Sequence, residues 1–73
     1  MIPKDFIEVT CLVDGKKALV RVDSIVAVYE YGEEKKDYGV KPAHVEIDYD
    51  DNKSLDVSES FDDVSTMIWN ALL

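Results

Sequence analysis

One cysteine, Cys11, leaves no disulfide to form within the chain. Small scaffolds without disulfides rely on a metal, on self-association or on dense packing. A lone thiol among strand residues reads as a small buried side chain in a reducing compartment. One histidine, His44, excludes a paired-His metal site and leaves no Ser-His-Asp grouping around a nucleophile elbow. It is expected to be an exposed strand residue. The three glycines stand apart, so no glycine-rich loop is available to cradle a phosphate. No apolar run approaches the roughly 18 residues of a membrane span. The opening Met1-Ile2-Pro3-Lys4 lacks the apolar core of a secretion signal, and a cytoplasmic protein is expected.

Basic residues are also scarce. Eight Lys and Arg face sixteen Asp and Glu, a net charge of −8. The imbalance is local: Lys53 alone accompanies eight carboxylates in residues 44–73. Affinity for nucleic acid comes largely from cations that neutralise phosphates, so direct nucleic-acid binding is not expected. A solvated acidic face that aids solubility is the plainer reading, and a basic partner surface the functional one.

What is present is a β pattern. Seventy-three residues suffice for one domain, 1–73, with a small core. Residues 6–13 alternate and are rich in β-branched types, Asp14-Gly15 signals a tight turn, and residues 16–22 return. A two-residue loop would pair Cys11 with Ala18, Val9 with Val20 and Ile7 with Val22, with Glu8 opposite Arg21. A third strand spans 25–31, with Val26 and Val28 on one face and Ile25, Ala27, Tyr29 and Tyr31 on the other. Residues 32–42 hold two glycines, a proline and six charges, and read as an exposed mobile loop. Strands at 43–49 and 53–57 flank a three-residue loop, Asp50-Asp51-Asn52, with Asn52 in the left-handed position. That register sets Ile47 opposite Leu55 and Val45 opposite Val57, and it places Glu46 against Asp56. Residues 60–72 form a helix: Ser60 and Asp63 make a capping box, and Phe61, Val64, Met67, Ile68, Ala71 and Leu72 fill one stripe, with Trp69 at its edge. The expected fold is mainly β, a five-stranded antiparallel sheet or small partly open barrel with one C-terminal α-helix.

The pattern Ile7-Glu8-Val9-Thr10, Leu12, Gly15, Ile25 with Val28, Val45 with Ile47, and Val57-Ser58-Glu59-Ser60 before Val64 resembles the small FlbD-type family, named for a protein of bacterial flagellar gene clusters. Asn52 stands where the family usually has a turn glycine, and the loop at 32–42 is long for it. The resemblance implies a small bacterial or phage-encoded accessory protein, with no catalytic residues to carry over.

One motif competes with the hairpin. Asp48, Asp50, Asn52, Ser54, Asp56 and Glu59 occupy positions 1, 3, 5, 7, 9 and 12 of a calcium-loop pattern. The sixth position, which needs glycine, is Lys53, and the upstream segment reads as strand rather than helix. Adjacent carboxylates at Asp50-Asp51 and Asp62-Asp63 read as turn and cap residues, and so small a chain has little room for a dry cleft. Neither an enzyme nor a cofactor is expected. Phe6, Leu12, Leu19, Tyr29, Tyr31, Trp69 and Leu73 are the expected interface residues, since they are surplus to the core. An interaction module docking another protein or itself is therefore expected. Its rival is a phage-encoded inhibitor that imitates nucleic acid and blocks a host nucleic-acid-binding enzyme, with Glu46, Asp48, Asp50, Asp56, Asp62 and Asp63 standing in for phosphates.

Overall fold

The computed structural model describes residues 2–73. The strands are β1 (Phe6–Thr10), β2 (Lys17–Arg21), β3 (Ile25–Tyr31), β4 (Glu34–Lys36), β5 (Gly39–Lys41), β6 (His44–Tyr49) and β7 (Lys53–Val57), followed by helix α1 (Phe61–Leu72). A single 3-10 turn, Val22–Ser24, joins β2 to β3. The fold is mainly β with one C-terminal helix, as the alternation predicts. All pairing is antiparallel, within a β1–β2 sheet, a β3–β6–β7 sheet and a β4–β5 hairpin.

The first two sheets meet at one seam. Cys11 bridges to Val57, Leu12 N–H donates to the Asp56 carbonyl at 2.9 Å, and Ser58 N–H donates to the Thr10 carbonyl at 3.0 Å. The five expected strands thus run in the order β2, β1, β7, β6, β3, curled but not closed, since β2 and β3 do not pair.

The same seam corrects the first hairpin. Val9 faces Ala18, Ile7 faces Val20 and Glu8 faces Leu19, a register two residues away from the expected one. Leu12 gives its N–H to β7, so the strand leaves its partner early. A four-residue turn then closes with Gly15 N–H donating to the Cys11 carbonyl at 2.9 Å. Gly15, at φ +72°, supplies the left-handed residue that ends this turn. Val13 is 93% exposed in the turn rather than paired in a strand. No Glu8–Arg21 pair forms; Arg21 instead lies 4.0 Å from Asp23. A slip of two preserves the alternation, so the buried face is unchanged.

The second hairpin has the expected register, Ile47 opposite Leu55 and Val45 opposite Val57, with Asn52 at φ +64°. Strand β3 has the expected span, but a bulge between Ile25 and Ala27 shifts its pairing. The bulge turns Val26 outward, 71% exposed, while Ile25 and Val28 pack on the core. The loop at 32–42 also departs from expectation, because β4 and β5 pair through it as a small, fully exposed hairpin.

The core is β-branched: Ile7, Val9, Val20, Val22, Val45, Ile47, Val57 and Val64 are buried. Ser60 caps α1 by accepting from Asp63 N–H at 3.0 Å, as expected. Val64, Met67, Ile68 and Ala71 face the core, so the helix closes the inner side of the curled sheet. The outer side of β3–β6–β7 is left open.

Candidate functional site

Alternation along β6 turns Val45 and Ile47 inward and His44, Glu46 and Asp48 outward. Cross-strand pairing then assembles a face. Tyr31 stands opposite His44, Tyr29 opposite Glu46, Ala27 opposite Asp48, and on the other flank Asp56 opposite Glu46 and Ser54 opposite Asp48. Two of the expected interface residues, Tyr29 and Tyr31, therefore share one surface with Glu46, Asp48 and Asp56 of the expected acidic patch.

At one end of this face the His44 ring stacks on Tyr31, with centroids 5.2 Å apart and planes 14° from parallel. Tyr29 lies 6.4 Å from Tyr31. His44 Nδ1 donates to the Pro42 carbonyl at 3.0 Å, and Nε2 lies 3.7 Å from Asp56. His44 is only 8% exposed, a correction to the exposed strand residue expected. Its cover comes from Pro42, two residues upstream, and from Tyr31 one strand away, which its own neighbours do not announce. Lys41 Nζ, 3.7 Å from Asp56, flanks the pair.

At the centre, two carboxyls crowd each other. The hydrogen bond with Asp48 raises the Glu46 pKa, and burial and the charges of Asp48 and Asp56 act in the same direction. Asp48 Oδ1 is buried and has no hydrogen-bond donor among its neighbours. Glu46 also heads the causes that raise the Tyr31 phenol, ahead of burial, Asp48, Tyr29 and Asp56. A shallow groove of about 370 Å³ runs on past Val26, Glu46, Asp48 and Asp50 to Asn52 and Ser54. Lys53 Nζ, 3.7 Å from Asp50, is the cation at that end.

The other sequence-predicted residues lie elsewhere. Asp62 and Asp63 occupy the first turn of α1 rather than the sheet. Leu12 is half-buried in the first turn, and Leu19 lies outward on β2. Phe6 and Leu73 flank a groove of about 400 Å³ between β1 and the end of α1, and Trp69 stands on α1 outside it. The expected interface is thus several surfaces, not one.

The calcium pattern is not assembled as a loop. Asp48 and Ser54 face each other across a β-ladder, and Asp50 and Asn52 flank the tip. Glu59 is committed elsewhere: Thr10 N–H donates to its Oε1 at 2.7 Å and the Thr10 hydroxyl to its Oε2 at 2.8 Å. No group of three or more His, Cys, Asp or Glu suited to a metal ion occurs among the described residues. Cys11 is half-buried at the seam rather than a fully buried core residue. Among the described residues, no helix is long and apolar enough to cross a membrane. No family model, curated protein or solved structure matches the chain.

Proposed function

We propose that this chain is a non-enzymatic accessory module that docks a basic protein surface on the outer face of β3–β6–β7. One observation carries the reading: two half-exposed tyrosines and three carboxylates share an open sheet face, and one carboxylate oxygen there lacks a donor. Crowded carboxyls cost stability, and an arginine or lysine from outside would relieve them with charge-assisted hydrogen bonds. Tyrosine adds apolar contact area and stacks well on a guanidinium. An accessory role in the bacterial or phage cytoplasm agrees with the FlbD-type resemblance of the sequence.

The test is titration with arginine-rich peptides, followed by amide chemical shifts. Shifts centred on Tyr29, Tyr31 and residues 44–48, abolished by the charge reversal Asp48→Lys, support the proposal. Shifts scattered over all acidic residues, or none, refute it.

A second reading has its own observation. Glu46, Asp48 and Asp50 alternate along β6 and its turn, at a separation of about 6.6 Å for each two-residue step. Such a row suits an inhibitor that imitates the phosphates of nucleic acid. That inhibitor would displace DNA or RNA from a host enzyme and lose affinity steeply as salt rises. Docking anchored by Tyr29 and Tyr31 would be less sensitive to salt.

A further inference from the structure

The curled sheet ends on β2, and the parity of its hydrogen bonds fixes what that edge offers. Cys11 N–H donates to the Lys16 carbonyl at 2.8 Å, and Val22 N–H donates to the Asp5 carbonyl at 2.9 Å. Antiparallel ladders alternate, so Lys16, Ala18, Val20 and Val22 turn their backbone groups toward β1. Lys17, Leu19 and Arg21 turn theirs to the open edge, and none of these three N–H groups has a partner among the described residues. Their side chains point to the outer face, with Leu19 half-exposed between the two cations. Beside the edge lies a cleft of about 330 Å³, lined by Ala18, Val20, Ser24, Tyr49 and Leu55. Asp50 at its rim lies 3.7 Å from Lys53.

We infer that β2 is a docking edge for an extended acidic segment of another protein, which adds a strand to the sheet and lies along this cleft. Unpaired N–H and C=O groups at three alternate residues match the backbone of an antiparallel strand. Charge selects the sequence of that strand. Residues 1–22 hold Lys4, Lys16, Lys17 and Arg21 against Asp5, Glu8 and Asp14, a net of +1, whereas residues 23–73 carry −9. Arg21 lies 4.0 Å from Asp23, beyond hydrogen-bond reach, and Lys17 gives one of its donors to the Thr10 hydroxyl. Both cations therefore keep donors for a carboxylate. Glu8 stands opposite Leu19 on β1, one strand further from the edge. The fitting strand has an apolar side chain opposite Leu19 and a carboxylate opposite each cation, two places to either side. Its intervening side chains face the cleft over Ala18, Val20, Tyr49 and Leu55, and are apolar as well. A second copy is the wrong occupant. In an antiparallel β2–β2 pair centred on Leu19, each Lys17 stands opposite Arg21 of the other copy, like charge on like charge. This edge is separate from the outer face of β3–β6–β7, so either proposal can fail alone.

The probe is a peptide with a central valine, isoleucine on either side of it and aspartate beyond each isoleucine, added up to about 1 mM. The amides of Lys17, Leu19 and Arg21 are expected to shift most, and their deuterium exchange to slow at least about 10-fold at saturation. N-methylation of the central valine, whose N–H meets the Leu19 carbonyl, abolishes binding. N-methylation of the next residue, whose N–H faces away from β2, leaves affinity within about three-fold. Arg21→Glu weakens binding at least about 10-fold. Leu19→Pro removes binding with the far-ultraviolet circular dichroism unchanged, because an edge strand tolerates proline where the N–H faces outward. If that variant fails to fold, the two methylated peptides decide the matter. Binding that survives methylation of the central residue overturns the inference, as do equal binding of a counterpart with lysine for aspartate, shifts confined to the outer face of β3–β6–β7, or no shifts at all. A doubled mass in place of 8.3 kDa, with the three amides protected before any peptide is added, puts a second copy on the edge and overturns it too.

Discussion

Glu59 shows how a single side chain holds the two sheets together. Burial pushes its pKa up, but hydrogen bonds from the Thr10 backbone and hydroxyl and its own backbone, with the Lys17 charge, outweigh burial and leave it lowered. Lys17 extends the chain of contacts by donating to the Thr10 hydroxyl at 2.9 Å. A carboxyl lowered by folding stabilises above its unfolded pKa, and that stability is lost as pH falls through the folded value. Glu59→Gln is therefore expected to cost about 1–2 kcal/mol at pH 7, with the difference from the parent vanishing in acid, measured by urea unfolding. Glu46 has the opposite sign. Its raised pKa means that stability falls as pH rises from the unfolded value through the folded one. Glu46→Gln is expected to gain about 0.5 kcal/mol at neutral pH and nothing in acid. At this scale the face was half legible in the sequence. Alternation placed Glu46 against Asp56 and Tyr29 beside Tyr31, but the cover over His44 depends on Tyr31, which only the folded chain brings near.

Among the elements, those with a local code were readable and those decided by a distant strand were not. Ser60, Asp63 and the apolar stripe define α1 without help from elsewhere, and the helix forms where they place it. Ser60→Ala is expected to cost about 1 kcal/mol, because Asp63 N–H loses its acceptor. The Asp50-Asp51-Asn52 loop sets its hairpin register in the same local way. Asp14-Gly15 is compatible with two turns, since glycine serves a tight turn or the last place of a longer one. The claim of β7 on Leu12 N–H decides between them, and that claim is invisible from residues 6–22 alone. The β4–β5 hairpin was missed because neither of its faces is apolar. A two-stranded hairpin with no covered face is marginal in water. Replacing residues 34–41 by a short glycine-serine turn is expected to change stability by less than about 1 kcal/mol, through loss of the Lys41–Asp56 contact.

The molecule as a whole measures 43 × 25 × 19 Å, elongated for so short a chain. Its charge of −8 opposes compaction, so the melting temperature is expected to rise between about 10 mM and about 500 mM salt. Unchanged melting over that range would mean that the carboxylates are already neutralised by their neighbours. The outline of a curled, unclosed sheet under a helix was legible, because the buried faces follow from alternation alone and survive a two-residue slip. The join between β1 and β7 has a further consequence. Beyond the Cys11–Val57 bridge, it consists of a few backbone bonds and the Glu59–Thr10 contact, whereas each sheet is laced along its whole length. The first hairpin is expected to open as one leaf before the three-stranded leaf does, and two tiers of deuterium uptake, the faster in residues 6–21, are the measurement that checks it.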